Sequence, residues 1–194
     1  GGAASGVAAA AAGAWWWSRR KPPLGMDIPE EFLQRGAALL AEYPSVDVHS
    51  HPGRSFLVGA KPESLIIRLM RDGFEADRIA DMRKAHVTAS LFSMVADFPL
   101  LSLEGGGLHA AREFGEGEAR RDYDRQFARL RSLIDDGLIR PGLSPEDIRA
   151  AHRDGERVAV LCSEGGDFIE DRLERVAAAH AAGLRSVTLV HYHV

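Results

Sequence analysis

Residues 46–53 read Val-Asp-Val-His-Ser-His-Pro-Gly, and the organisation of the whole chain follows from them. The alternating valines predict a short strand that ends at the turn marked by Pro52 and Gly53. His49 and His51 stand two positions apart, so both imidazoles project from the same face of that strand. Two nitrogen donors on one face of a strand tip favour a metal site. The alternative is that they are ordinary surface or capping histidines.

Composition restricts the classes of protein that fit. The 194 residues are enough for one sizeable core, and the net charge of -4 gives no electrostatic case for nucleic acid. Cys162 is the only cysteine, which excludes an intrachain disulfide and a cysteine-based zinc site. Any metal ion must therefore be held by His, Asp or Glu side chains.

The first 25 residues form a segment distinct from residues 26–194. Residues 1–18 are uncharged and rich in Ala and Gly, with three tryptophans at 15–17, and a basic flank follows at 19–21. This pattern is typical of the end of a membrane anchor or signal segment, although a full span needs about 20 residues. The alternative is a disordered tail joined by a linker. The first interpretation predicts a membrane-anchored or exported protein, and the second a cytoplasmic one. We expect residues 1–25 to pack on nothing in the body of the protein.

Helical and strand patterns alternate through residues 26–194. Strands are predicted at 46–51, 87–95, 158–163 and 186–191, and helices over 28–43, 63–84, 108–135, 144–154 and 168–182. This alternation predicts an α/β fold with four parallel strands in sequential order. Four such units are half of a TIM-like (β/α)8 barrel, which has about 250 residues. Because the chain starts without methionine and stops at Val194, just after a predicted strand, we expect it to be part of a longer protein.

Polar residues cluster where the predicted strands end. They are His49, His51, Glu164, His191 and His193. In a barrel these ends share one rim, where active sites form. A carboxylate beside histidines suits Zn²⁺, and a bridging carboxylate suits a pair of ions. The alternative interpretation of Glu164 is that it is an acidic residue at the start of a helix, where a negative charge is favourable.

Several neighbouring residues receive secondary interpretations. Gly165 and Gly166 would let the backbone approach a ligand closely, and Asp47 could be a hydrogen-bond partner for an imidazole. Cys162 follows a strand core and is expected to be an inert buried thiol. The remaining histidines are expected to be structural or on the surface of helices: His86, His109, His152 and His180.

Three segments together resemble the membrane dipeptidase (renal dipeptidase) family of zinc peptidases. They are Val46–Gly53, Ser163-Glu164-Gly165-Gly166, and Gly183-Leu184-Arg185-Ser186-Val187-Thr188-Leu189-Val190-His191. The family has a His-x-Asp after its first strand, a Glu-Gly-Gly segment and a Thr-Leu-Thr-His segment at similar positions. The resemblance covers roughly residues 28–194.

The resemblance implies a role for each matched residue. His49 would bind the first of two zinc ions, Glu164 would bridge both as a catalytic residue, and His191 would face the substrate and help polarise its carbonyl. His51 replaces the usual Asp and could still bind zinc. The later ligands of the family have no counterpart before Val194, so we expect an incomplete second metal site. The implied activity is hydrolysis of dipeptides by a metal-activated water.

Two other functions fit part of the pattern. Metal-dependent phosphoesterases and nucleases also open with His-x-His on a barrel strand, but they surround the site with Lys and Arg. Here Arg54 is near the motif and Arg185 lies at a strand start away from the rim. A half-barrel fragment that binds at most one metal ion and catalyses nothing is the non-enzyme alternative.

Overall fold

The computed structural model describes residues 27–60, 74–103, 105 and 107–193. The predicted anchor or tail at 1–25 and the first half of the predicted helix 63–84, residues 63–73, lie outside these ranges. No helix within the described ranges is long and apolar enough to cross a membrane.

A parallel sheet forms the centre of the described chain. Its main strands are β1 (Val46–Ser50), β2 (Ala89–Val95), β6 (Val158–Glu164) and β7 (Leu184–Thr188). They pair in the order β1-β2-β6-β7, all parallel. This confirms the predicted four parallel strands in sequential order. That this sheet is half of a (β/α)8 barrel remains a prediction.

Three short strands were not predicted. β5 (Arg140–Pro141) pairs in parallel with the first residues of β6. β3 (Leu101–Ser102) and β4 (His109–Ala110) form a small antiparallel hairpin between β2 and the next helix. The hairpin lies beside the polar residues at the strand ends.

The helices follow the predicted alternation, with shifted ends. They are α1 (Glu30–Glu42), α2 (Phe74–Lys84), α3 (Glu118–Asp135), α4 (Pro145–Asp154) and α5 (Glu174–Ala182). The Ser144 hydroxyl and the Asp147 carboxylate form a capping box at the start of α4, as the Ser-Pro-Glu-Asp sequence predicts. Helix α1 buries none of its residues in the described structure, and Phe32 and Leu33 lie exposed on it.

Two helices begin later than predicted, because the backbone at each predicted start adopts a conformation that is not helical. The predicted helix 108–135 begins only at Glu118, because the preceding residues pair in β4 and Gly117 adopts a left-handed φ of 62°. The predicted helix 168–182 begins at Glu174. Glu170 and Asp171 have φ values of 45° and 60°, which an α-helix does not accommodate. A 3-10 turn, Asp167–Ile169, takes the place of the first helical turn.

The core lies where β2 and β6 meet α3. Both strands are buried along nearly their whole length, as expected of central parallel strands covered on both faces. Phe168, just after β6, stacks on Tyr123 of α3 with ring centroids 4.1 Å apart. Full burial of one such ring contributes about 1.5–3 kcal/mol. This contact fixes the segment that follows Glu164.

Polar contacts fix the ends of β1 and β2 against α3. Gln126 is buried and bonds both backbone groups of Val95, accepting from its N–H at 2.9 Å and donating to its carbonyl at 2.7 Å. Arg125 donates to the carbonyl of Phe56, in the 3-10 segment Pro52–Leu57 that follows His51, and to that of Val58, just after the segment. The backbone groups freed where the strands end are therefore satisfied by one helix.

Candidate metal centre

The carboxyl ends of the parallel strands bring the predicted polar residues together. Glu164 is the last residue of β6 and aligns with Val95, the last residue of β2. Its carbonyl accepts from the N–H of Ala96 at 2.8 Å, and the N–H of Gly165 donates to Thr188 of β7 at 3.0 Å. The Glu164 backbone is thus held from both sides at the shared end of three strands.

His49, His51 and Glu164 form one compact group of donors. Oε1 of Glu164 lies 2.9 Å from Nε2 of His49 and 3.3 Å from Nε2 of His51. One potential ligand atom from each residue lies within 4.8 Å of the others. The two imidazoles meet edge to face with centroids 4.9 Å apart, so both project to the same side of β1 as the spacing predicted.

The tautomer of His51 is fixed by the neighbouring strand. Its Nδ1 lies 2.9 Å from the carbonyl oxygen of Ser93 on β2, and only an N–H can donate there. The lone pair of the neutral ring is therefore on Nε2, which faces Glu164. A backbone carbonyl on the far nitrogen is a common support for a metal-binding histidine. Burial lowers the pKa of His51, but the carboxylate of Glu164 and the Ser93 carbonyl raise it further, so the net pKa lies above its ordinary value.

Oε1 of Glu164 is buried and makes no hydrogen bond with the described residues. Its contacts with His49 and His51 are short, yet neither has the direction of a hydrogen bond. Burial raises the pKa of Glu164, but the three neighbouring histidines lower it more, so the carboxylate is favoured. A buried oxygen with no hydrogen bond, facing two imidazole nitrogens, fits a divalent ion bound by nitrogen and oxygen.

His191 lies on the other side of the same carboxylate. Its Nε2 is 3.3 Å from Oε2 of Glu164, and its Nδ1 is 2.8 Å from Oδ1 of Asp97. Strand β7 ends at Thr188, so His191 comes from the turn beyond the strand and not from its predicted tip at 191. His191 nevertheless reaches the predicted cavity edge.

Asp97 was missed by the sequence reasoning. It follows the end of β2 by two residues and has no exposed surface. Besides His191 Nδ1, it accepts the backbone N–H groups of Tyr192 at 2.7 Å and His193 at 3.0 Å. The available signal was its place, since an acidic residue just past a strand end shares the rim with the histidines.

A cavity of about 560 Å³ is lined in part by four of the polar residues: His49, His51, Glu164 and His191. The remaining lining is largely apolar and comes from the segment after β1, the end of β2 and the β3–β4 hairpin. No Lys or Arg belongs to the lining that the structure describes.

Other predicted roles need correction. Asp47 accepts the backbone N–H of His49 at 3.1 Å and the Ser90 hydroxyl, so it supports the strand and not an imidazole. His193 does not join Glu164. Its Nδ1 lies 2.7 Å from Asp167 and its Nε2 2.9 Å from Glu113.

The two glycines after Glu164 differ in how closely their surroundings pack, and the approach of a ligand to their backbone remains a prediction. Gly165 has a φ of 101°, and a Cβ there would lie 2.6 Å from Asp167 Oδ2 and 2.8 Å from Ala96 Cβ. A Cβ on Gly166 would meet nothing closer than 3.4 Å. Only Gly165 is thus required by the local backbone and packing.

Residues predicted to lie away from the site do so. Cys162 is buried, and burial raises the pKa of its thiol to about 12, as expected of an inert thiol. His152 bonds the Thr88 hydroxyl at the amino-terminal side of β2. His109 is exposed but lies in β4 and not on a helix.

Similar solved structures share this fold. The described chain has the α/β architecture of a group of hydrolase structures, and three of them illustrate the match. The probable dipeptidase PvdM from Pseudomonas aeruginosa is 16% identical, with a TM-score of 0.59 over 84% of this chain and 38% of that one. Dipeptidase AC, a metallopeptidase of family M19, is 16% identical, with a TM-score of 0.54 over 77% of this chain and 43% of that one. An amidohydrolase from P. aeruginosa is 17% identical, with a TM-score of 0.51 over 80% of this chain and 36% of that one.

These matches confirm, at the level of fold, the resemblance predicted from the sequence. The chain spans less than half the length of each of these structures. No protein-family model and no curated protein matches the sequence.

Proposed function

We propose that this chain provides the metal centre of a metal-dependent amide hydrolase, and more specifically of a zinc dipeptidase. The observation that carries the proposal is the convergence of His49, His51 and Glu164 on one point at the carboxyl ends of β1 and β6. The names of two structures with similar folds, both dipeptidases, support the choice of substrate.

The three residues would hold one divalent ion. His49 and His51 would bind through Nε2, and Glu164 would bind through Oε1 and leave Oε2 toward His191. An ion bound there lowers the pKa of a water and polarises a carbonyl. The predicted bridging role of Glu164 depends on Oε2, since a carboxylate that bridges two ions uses both of its oxygens.

His191 would orient the substrate. Because Asp97 accepts from Nδ1, the other ring nitrogen, Nε2, is directed to the cavity side beside Glu164. From that place a protonated Nε2 can donate to the oxygen of a substrate carbonyl and stabilise negative charge that develops on it. Asp97 would hold the ring in this orientation.

The composition of the cavity favours an amide over a phosphoester. A phosphodiester carries its negative charge into the site and is normally met by Lys or Arg. The described lining contains neither, and Arg54 is not part of it. Arg185 donates to the carbonyls of Leu143 and His180, away from the cavity.

Hydrolysis of leucyl-leucine and of bis-p-nitrophenyl phosphate, measured with added Zn²⁺, tests the proposal. The assay uses the longest natural protein that contains this sequence, in parallel with the chain itself. We expect zinc-dependent cleavage of the dipeptide by the long protein, lost in Glu164→Gln and retained in Glu174→Gln, an exposed control on α5. Cleavage of the phosphodiester alone would replace the dipeptidase proposal with a phosphoesterase.

A further inference from the structure

We propose that the β3–β4 hairpin and the ends of β1 and β2 form an apolar side-chain pocket beside the metal centre, which selects substrates with a bulky apolar group next to the scissile carbonyl. This inference rests on the proposed function and names its substrate class. Six of the residues that line the cavity form its apolar wall: Phe56, Val95, Phe98, Leu101, Leu103 and Leu108.

The apolar wall starts at a metal donor. The His51 ring contacts Phe56 edge to face with centroids 5.4 Å apart, and Phe56 contacts Phe98 in the same way at 5.2 Å. The apolar wall therefore begins in direct contact with the His51 ring and continues through Phe56 to Phe98. A substrate whose carbonyl faces His49, His51 and Glu164 would lay its adjacent side chain on these rings.

The far part of the wall leaves apolar surface uncovered. Leu103 is 77% exposed and Leu108 is 41% exposed, and both lie between β3 and β4 in the hairpin. Exposed leucines that face a cavity beside polar donors are what an apolar ligand group can cover. Covering a leucine-sized side chain in this way strengthens binding by roughly tenfold or more.

The charges around the cavity agree with a neutral side chain. The described lining contains one carboxylate, that of Glu164, and three histidines surround it. With no Lys or Arg in that lining, an acidic substrate side chain would find no partner. A basic side chain would have to displace water from its ammonium group against leucines, which is costly.

Binding of two neutral probes to the metal-free protein tests the pocket separately from catalysis. The probes are N-acetyl-leucine methylamide and N-acetyl-glycine methylamide, titrated in EDTA and followed by the methyl NMR signals of ¹³C-labelled leucines. We expect the leucine probe to bind at least about fivefold more tightly and to shift the Leu103 and Leu108 signals. Equal affinities for the two probes would overturn the inference.

Two variants locate the effect, and a third is the control. Leu103→Asn and Leu108→Asn change partly exposed side chains, so the fold should survive. Each should reduce the preference for the leucine probe at least about twofold, and the double variant should abolish it. Leu173→Asn changes a residue that is 78% exposed and lies outside this cavity, and it should leave the preference unchanged.

The outcomes separate the pocket from the proposed function. An intact leucine preference in a protein that cleaves no dipeptide would count against the dipeptidase proposal alone. A preference that survives the double variant, or that Leu173→Asn removes, would overturn the pocket even in an active enzyme. In an active protein, the ratio of kcat/KM for leucyl-leucine over glycyl-glycine should fall in the double variant by the same factor as the binding preference.

Discussion

Oδ1 of Asp97 lies 2.8 Å from Nδ1 of His191, and the Asp97 side chain is fully buried. The two residues are 94 positions apart, and β6 lies between the strands that precede them. Asp97 also accepts the two backbone N–H groups that follow His191. One carboxylate therefore fixes the segment after β7 against the end of β2 and orients the imidazole that faces Glu164.

Replacing Asp97 with Asn keeps the size of the side chain but removes its charge. We expect dipeptide hydrolysis by the longest natural protein containing this sequence to fall roughly 10- to 100-fold, because His191 loses the carboxylate that holds its ring and balances the charge of a ring that donates from both nitrogens. Zinc content should stay at the wild-type level, since the hydrogen bonds of Asp97 go to His191 and the backbone after it. A kcat that stays unchanged, or a loss of zinc that parallels the loss of rate, would contradict the orienting role.

Asp97→Ala tests the same contacts through stability. This change leaves the N–H groups of Tyr192 and His193 without their acceptor, at a cost of about 1–3 kcal/mol for each buried group left unpaired. Urea unfolding of the chain should show that loss, and Glu31→Ala, at an exposed position on α1, should be close to neutral. Equal stability of the two variants would mean that these hydrogen bonds are exchanged for water without cost.

Gly165→Ala and Gly166→Ala are a matched pair of variants, because the two glycines are neighbours but only Gly165 lacks room for a side chain. Gly165→Ala combines a φ of 101° with two contacts below 3.0 Å, so it should destabilise the fold by about 2 kcal/mol or more and weaken zinc binding by moving Glu164. Gly166→Ala meets only ordinary or slightly tight contacts and should change the free energy of unfolding by less than about 1 kcal/mol. Thermal unfolding and zinc titration of both variants check this, and equal effects would refute the packing role of Gly165.

The ion pairs of His193 predict a pH dependence. Hydrogen bonds to Glu113, and then to Asp167, raise the pKa of His193 above its ordinary value of 6.5. Protonation is thus favoured in the folded state, so this stabilisation is complete below about pH 6 and is lost as the pH rises through the raised folded pKa. Glu113 is largely exposed, and solvent screens its part of the effect.

A comparison of His193→Gln with the wild-type chain isolates that contribution. The difference in free energy of unfolding should be larger at about pH 6 than at about pH 9, by urea titration. His180→Gln, at an exposed position on α5, should show no such change. A difference that is constant with pH would show that the His193 contacts do not depend on its charge.

The sequence predicted the parts of the fold that carry a strong local pattern. β2 and β6 are mostly apolar along their length, and burial on both faces favours that pattern in central parallel strands. The α4 start has a side-chain signature at Ser144 and Asp147. The proximity of His49, His51 and Glu164 could be predicted because strand ends in a parallel sheet share one edge.

Other features depend on contacts that a local pattern does not contain. β5 has two residues, one of them Pro141, and forms only because β6 offers a free edge there. The charged segment before Glu118 continues a helix-like pattern, yet pairing of His109 and Ala110 with β3 prevents the helix. Asp97 looks like any acidic loop residue in sequence, and its burial depends on a segment 94 positions away.

Zinc binding by the purified chain tests the central claim most directly. Equilibrium dialysis with metal analysis should give one Zn²⁺ per chain, with affinity reduced roughly a hundredfold or more in His51→Gln and in Glu164→Gln, because each removes a ligand or its charge. His180→Gln and Glu174→Gln should bind as the wild type does, and circular dichroism should show all four variants folded. Wild-type zinc stoichiometry and affinity in folded His51→Gln and Glu164→Gln would contradict a metal centre at the ends of β1 and β6.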